Sequence, residues 1–350
     1  MGSGSLPQEL SGVESPASRM IPVSIIVPAR NEEKHIAACL GSLVAQDYRG
    51  ICEILVFDGG STDQTRRIVA EIATKEPLLH VFDNPKVQQA AAMNLGIRMA
   101  KGEIIVRADA HALYEPDYVS QCVYHLQTTR AANVGGPMRP VIGNSLPGKA
   151  IAFCYLSRFG IGVARFHNSN AQGFVDTVWL GAFRKSVYDH VGLYNEEVPR
   201  IDDLLFNYRL RTAGYRIFLT AKIRSSYFPA NTIGGFLTKA FRNGFAFGRV
   251  LFVIPKALRP RHLAPFTFVS GLVVLCVLSI ALHWARWLLG GLLALHLSLG
   301  AAFAIPGARL HGLAFVAVMP PLFMALHVAY GFGTIWGIFR SLIEKLGRRS

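Results

Sequence analysis

Charged side chains are scarce in this chain of 350 residues: Asp, Glu, Lys and Arg make up 17% of it, while hydrophobic residues reach 51%. A soluble domain carries about 25% charged residues, so part of this chain does not face water. Acids are the scarcer sign, 22 against 36 Lys and Arg, and the net charge is +14. From Leu251 onward stand nine Lys/Arg and one acid, Glu344, so that stretch supplies +8 of the +14. A basic, apolar segment suits the neighbourhood of anionic lipid headgroups. It does not imply nucleic acid, because the basic residues flank apolar runs and form no soluble face. Cysteine is sparse as well. Cys39, Cys52, Cys122, Cys154 and Cys276 include no C-x-x-C pair, and one of them lies inside an apolar run. That excludes a disulfide framework and a zinc site and fits reduced thiols. Residues 1–20 lack the apolar stretch of a signal peptide. Polar and rich in Ser and Gly, they read as a disordered segment, and the domain after them is expected to stay in the cytosol. No G-x-G-x-x-G follows the first apolar run, which excludes a dinucleotide-dependent oxidoreductase.

The length suits one domain of ~200–250 residues plus an appendage. VSIIVP (23–28) and EILVFD (53–58) are short apolar runs rich in β-branched residues, read as buried strands. Between them residues 30–44 have helical periodicity, with Ile36, Leu40 and Leu43 on one face. A helix over 64–74 follows GGSTD, with Ser61 or Thr62 as its N-cap. A short strand at 80–82, a helix at 90–100 and the strand EIIVRA (103–108) come next. Such alternation predicts a parallel sheet with helices on both faces, and ligands of such sheets sit at the carboxyl ends of the strands. The polar clusters 30–32, 58–63 and 109–111 all fall at those ends. Residues 135–174 show no clear pattern. Residues 175–180 and 186–191, a helix at 203–213 and a strand at 217–219 close a domain expected to span 21–235.

Residues 236–250 interleave Lys239, Arg242 and Arg249 with Phe236, Phe241, Phe245 and Phe247, so 236–261 read as amphipathic helices in a membrane interface. Three apolar stretches follow, 262–284, 287–306 and 313–332. Each has about 20 residues, enough to cross ~30 Å of hydrocarbon. Hence 262–335 read as about three transmembrane helices and 336–350 as a basic C-terminal tail. Three crossings from a cytosolic domain would leave that basic end outside, against the positive-inside rule. Either one stretch is re-entrant, with the third the prime suspect because it carries Pro320-Pro321, or the rule is broken here.

The acids at the strand ends have a common chemical use. Asp58 and Glu32 are acceptors for the hydroxyls and base of a nucleotide. Asp109 and His111, alternating at one strand end, suit a Mn²⁺ or Mg²⁺ ion whose other ligands are phosphate oxygens and water. Each has a plainer reading alone, since an Asp at a strand end is commonly an N-cap and a single D-x-H is commonly structural. Asp202 and Asp203 adjoin a helix start, whose dipole holds carboxylates ionised; Asp203 is either a general base or an N-cap.

Taken together, PARNEE (28–33), VFDGGSTDQT (56–65), AAMNLGIRMAKGEIIVRADAH (91–111), DTVWLGAFRKSVYDHVGLYNE (176–196) and DDLLFNYRLRTAGYRI (202–217) resemble the family 2 glycosyltransferases of the GT-A fold, and within them the succinoglycan-biosynthesis ExoA-type membrane enzymes. The resemblance implies an α/β, Rossmann-like nucleotide-sugar-binding domain followed by an α-helical transmembrane region. It implies nucleotide-sugar binding by Pro28, Arg30, Glu32 (near the ribose), Asp58 (facing uracil) and Asp109. Asp109 takes the first place of the family's D-x-D motif and His111 stands where the second Asp is usual, so Asp109 and His111 are the expected ligands of Mn²⁺ or Mg²⁺. Asp203 matches the catalytic base, with Asp202 beside it at the acceptor. Inverting displacement needs that one base and no carboxylate nucleophile. Trp179 and Gly181 border the acceptor, with core packing the alternative for Trp179, and Asn94 reads as structural. Leu204-Leu205 replace acids often found there. KAFRNG (239–244) lacks the Trp of the processive synthases' Q-x-x-R-W, which points to transfer of a single sugar. The expected donor is a UDP-sugar, UDP-glucose foremost, and the expected acceptor a lipid-linked (polyprenyl diphosphate) saccharide. The setting implied is exopolysaccharide biosynthesis at the cytosolic face of the cytoplasmic membrane, with membrane lipids and no nucleic acid as partners. One rival is a polyprenyl-phosphate sugar synthase, with the basic helix 239–249 holding the lipid phosphate. The other is a non-catalytic membrane scaffold, against which the intact Asp58, Asp109 and Asp203 argue.

Overall fold

The computed structural model describes residues 20–161, 164–198 and 200–347. Apart from Met20, the segment expected to be disordered lies outside the described residues. Strands β1 (Val23–Ala29), β2 (Ile51–Asp58), β3 (Leu79–Asp83) and β4 (Ile104–Arg107) pair in parallel, with α1 (Ile36–Val44), α2 (Thr65–Ala73) and α3 (Gln89–Met99) as crossovers. β1 is buried on both sides. Ile25 and Val27 enter one hydrophobic cluster and Ile26 the other, the period-two alternation of a strand.

Then come β5 (Ala112–Tyr114), α4 (Tyr118–Thr129), β6 (Asn133–Gly136), β7 (Arg139–Pro140), α5 (Leu146–Leu156), β8 (Gly173–Val175) and β9 (Trp179–Arg184). The domain closes with α6 (Val187–Val191), α7 (Asp202–Thr212), β10 (Ile217–Leu219) and β11 (Ser225–Tyr227). The main sheet has the order β3-β2-β1-β4-β9-β6-β10-β8, and β5-β11-β7 form a small second sheet. β9 is antiparallel to both β4 and β6, and β8 to β10. The expected parallel sheet is therefore mixed: β1 to β4 pair in parallel through their helical crossovers, β9 runs against both its neighbours, and β6 and β10 pair in parallel again.

α8 (Ile233–Val253), α9 (Pro260–Ala281), α10 (His283–His311) and α11 (Ala314–Gly347) complete the chain. The last three are long and apolar enough to cross a membrane. α9 and α10 form a hairpin around Leu282, with Phe268 against His296 and the apolar tip exposed at Ile280 and Trp287. α11 departs from expectation twice. It is continuous through Pro320-Pro321, so no turn-back occurs there, and it runs on to Gly347, so 336–347 are helix and not a separate tail. Gly300 on α10 leaves room for Pro320, whose Cα would stand 3.1 Å from a Cβ at that position. The first half of α11 touches the domain, where Phe315 meets Phe153 of α5 and Phe323 meets Phe159, and α10 reaches the same Phe159 through His296 and Phe303. Its second half packs on α8 through facing glycines. A Cβ on Gly248 would meet the Thr334 carbonyl at 2.3 Å, and one on Gly337 the Phe245 carbonyl at 2.2 Å. Two facing G-x-x-x-G segments bring the helix backbones together, so α8 is fixed to α11 and does not lie alone in an interface.

Candidate active site

The carboxyl ends of β1, β2 and β4 form one polar rim. Ala29 and Asp58, the last residues of β1 and β2, are partners in the ladder, and the loops beyond them are tied together. Asn31 adopts φ +56°, a conformation Asn tolerates. Its N–H donates to Ser61 Oγ at 3.0 Å and its Oδ1 accepts from the Thr62 N–H at 2.8 Å. The Glu32 N–H donates to Thr65 Oγ1 at 2.7 Å. This clasp places Pro28, Arg30 and Glu32 beside Asp58. Asp58 is buried and accepts the Ser61 hydroxyl at 2.5 Å. Ser61 and Thr62, expected to cap the next helix, serve instead to join the two loops. The helix begins at Thr65, and Asp63 accepts the Thr65 N–H at 2.9 Å.

Asp109 follows β4. Gln89 Nε2 donates to its Oδ1 at 2.9 Å, and its own N–H donates to the Tyr114 hydroxyl at 2.6 Å. His111 Nδ1 lies 3.0 Å from Glu32 Oε1. Among the described residues that buried nitrogen makes no hydrogen bond. Asp109 and His111 offer a carboxylate and an imidazole, donor types that a divalent cation completed by phosphate oxygens and water takes. Among the described residues, no group of three or more His, Cys, Asp or Glu would hold a metal unaided.

Behind Asp109 lies a buried charge cluster. Arg107 ends β4 at 4% exposure and contacts Asp203, with Asp202 at 3.3 Å and Asp109 at 3.8 Å. Asp202 and Asp203 form the first turn of α7, where the helix dipole favours acids. They are not equivalent: Asp202 is 2% exposed, whereas the Asp203 side chain is 28% exposed. Burial pushes the Asp203 carboxyl up to about 7; Asp202 and Asp109 add repulsion, and Arg107 pulls the other way. Asp202 therefore faces Arg107, not an open acceptor site as expected.

On the neighbouring strand, Gly181 pairs with Arg107. The backbone there is left-handed at Leu180 (φ +58°) and Gly181 (φ +134°), and a Cβ on Gly181 would meet Asn133 Oδ1 at 2.3 Å. Trp179 is largely buried and packs edge-on against Tyr227, with centroids 5.6 Å apart. Asn94 is committed to Tyr194 and Glu196, the structural role expected of it. Sequence reasoning missed Arg107 and Gln89. For Arg107 a signal existed, since an arginine ending an apolar strand is buried only where carboxylates pair with it.

Residues 24–192 match the family model described as Glycosyl transferase family 2. The chain is 34% identical over 228 residues to the succinoglycan biosynthesis protein ExoA of Rhizobium meliloti, which covers 64% of this chain and 67% of that protein. It is 29% identical over 238 residues to the dolichyl N-acetyl-alpha-D-glucosaminyl phosphate 3-beta-D-2,3-diacetamido-2,3-dideoxy-beta-D-glucuronosyltransferase of Methanococcus voltae, covering 65% and 74%. The mannosyltransferase PcManGT of Pyrobaculum calidifontis, solved in complex with GDP-Man and Mn²⁺, has a TM-score of 0.58 at 21% identity over 91% of this chain and 88% of its own. The shared architecture is the GT-A fold. A rim of acids at the strand ends, the motifs in their order and these similarities agree: the chain is a glycosyltransferase and belongs to glycosyl transferase family 2.

Proposed function

We propose that this protein transfers a single sugar, with inversion, from a UDP-sugar (UDP-glucose foremost) to a saccharide carried on a lipid diphosphate, in exopolysaccharide assembly. One observation carries the reading: Asp203, at 28% side-chain exposure, is the most exposed carboxylate of the Arg107 cluster, which also holds Asp109. In the transfer the acceptor hydroxyl oxygen bonds to C1 of the donor sugar on the face opposite the diphosphate. The C1–O bond to phosphate breaks, and its electron pair leaves on the nucleoside diphosphate. The hydroxyl proton passes to Asp203, whose pKa of about 7 suits a base working near neutrality. Arg107 holds Asp203 in place, and buried Asp202 supports Arg107. Asp109 and His111 would hold Mn²⁺ or Mg²⁺, which supplies positive charge for the departing diphosphate. Glu32 orients His111. Pro28, Arg30 and Asp58 line the nucleotide, and Trp179 and Gly181 wall the acceptor side. GDP-Man and Mn²⁺ on PcManGT support the donor class and the metal, and the similarity to ExoA supports the polysaccharide setting.

The catalytic domain is assigned to 21–235, and the α9–α10 hairpin enters the cytoplasmic membrane while α11 packs on α5 and α8. This arrangement keeps the domain and the basic end of α11 together on the cytosolic side, as the positive-inside rule asks. The test is a panel of UDP- and GDP-sugars offered with Mn²⁺ and a lipid-linked acceptor. UDP-glucose should be consumed, with a product one sugar longer and inverted at C1 by NMR. Retained configuration, or transfer from GDP-sugars alone, would overturn the proposal.

A further inference from the structure

Where α9 leaves the catalytic domain, the surface is dense in arginine. A cavity of about 800 Å³ beside Pro260 is lined by Arg165, Arg211, Arg216, Arg259 and Arg261. The carboxylate in its wall is Asp176, bound by Arg261 at 2.7 Å and approached by Arg259 at 3.8 Å. Arg165 donates to the carbonyls of Gln172 and Phe174, and the Arg216 guanidinium lies 3.3 Å over the Phe174 ring. The Nε of Arg211 is buried without a hydrogen-bond partner among the described residues. Five guanidinium groups around one carboxylate leave an excess of positive charge that an anion would relieve.

An apolar groove shares a wall with this cavity. Arg259 and Pro260 also line that groove of about 750 Å³, whose further walls include Leu251, Leu258, Leu263 and Phe268. Basic pocket and apolar groove therefore share Arg259 and Pro260 at the base of the hairpin, one polar and the other apolar. Arginine's planar fork matches phosphate oxygens two at a time, and arginine clusters beside a membrane helix attract anionic headgroups.

We propose that this paired cavity binds a phospholipid with an anionic headgroup, its phosphate among the arginines and an acyl chain in the groove along α9. The site lies apart from the sugar-transfer centre. Asp202 opens α7 and Arg211 stands near its other end, roughly 14 Å away at 1.5 Å per residue. The proposal rests on the hairpin entering the membrane and is independent of the donor, the acceptor and the catalytic base.

The experiment uses the full chain in a neutral detergent, with phosphatidylglycerol, phosphatidylcholine or inorganic phosphate added. Unfolding temperature and retained lipid, read by native mass spectrometry, are measured for the wild type, for Arg211→Gln/Arg216→Gln and for the control Arg286→Gln. Phosphatidylglycerol at about 100 times its Kd should be retained and raise the wild-type and control unfolding temperatures by roughly 5 °C, and the double variant should lose both effects. If the double variant does not fold, Arg216→Gln, at an exposed position, should weaken retention several-fold. An equal effect of phosphatidylcholine or inorganic phosphate, or undiminished phosphatidylglycerol binding by the folded variant, would overturn the proposal. So would a raised acceptor KM in the variant with phosphatidylglycerol binding intact, which would assign the cavity to the lipid-linked acceptor.

Discussion

Asp202 and Asp203 are successive residues in one helical turn, and their surroundings give them different work. Asp203→Asn keeps the shape and removes the proton acceptor. Transfer should slow by ~10²–10⁴-fold while UDP affinity holds, as checked by a transfer rate and a UDP titration on folded protein; a near-wild-type rate would sink the assignment. Asp202→Asn should act on stability instead, costing ~1–3 kcal/mol because Arg107 loses a buried partner. The pH dependence follows from the raised pKa of Asp203. Only the ionised carboxylate accepts a proton, so kcat should fall tenfold per unit on the acid side of a limb at or below about 7 and be level above it. A cation at Asp109 moves that limb to lower pH. Asp203→Asn should flatten the profile. Glu32 and His111 make a second pair to test. Glu32→Ala removes the carboxylate on Nδ1 and should weaken Mn²⁺ affinity by ~10–100-fold, measured by calorimetry with UDP present. His111→Asp should retain activity with altered metal preference, and full turnover in excess EDTA would exclude the metal role.

At the scale of elements, the contact between α8 and α11 decides how the catalytic domain is joined to the apolar helices. Its glycines leave no space: the nearest atom to a Cβ on Gly244 would be the Tyr330 carbonyl oxygen, at 2.0 Å. Gly248→Leu should therefore push the helices apart and destabilise by at least ~1–3 kcal/mol, the usual result of overpacking. The readout is the unfolding temperature in detergent, and an unchanged value would show that the helices do not pack there. The signal for this contact stood in the sequence as GFAFG (244–248) and GTIWG (333–337), but the alternation of basic and aromatic residues in the same segment reads just as well as an interface helix. Which one prevails depends on whether a second small-residue face is brought opposite, and a single segment does not report that.

For the whole molecule the testable quantity is topology. With α9 and α10 as a hairpin and α11 packed on α5 and α8, Arg309→Cys and Arg340→Cys in a cysteine-depleted background should be labelled from the side of the catalytic domain. Arg286→Cys, at the hairpin turn, should be labelled from the opposite side or not at all. Labelling of positions 286 and 309 from the same side would exclude the hairpin. The protein should also stay with membranes through a carbonate wash and need detergent for release, since α9 and α10 are each long enough to span the hydrocarbon.

The sequence alone was enough to locate the strand ends and most of the polar rim. β1, β2 and β4 are encoded by unbroken apolar runs, and a strand's end is marked by the first polar residue after such a run, so Asp58 and Asp109 were legible locally. The apolar lengths of α9 to α11 were legible for the same reason. Tertiary structure decided the rest. Arg107 and its partners Asp202 and Asp203 are 95 and 96 residues apart, and they meet only because β9 inserts antiparallel beside β4 and α7 points its first turn at the end of that strand. The different exposures of Asp202 and Asp203, the packing of α11 on α5 and α8 and the arginine cavity at Pro260 arise in the same way. Each depends on which surfaces the fold brings into contact across long separations, and local periodicity carries no information about that.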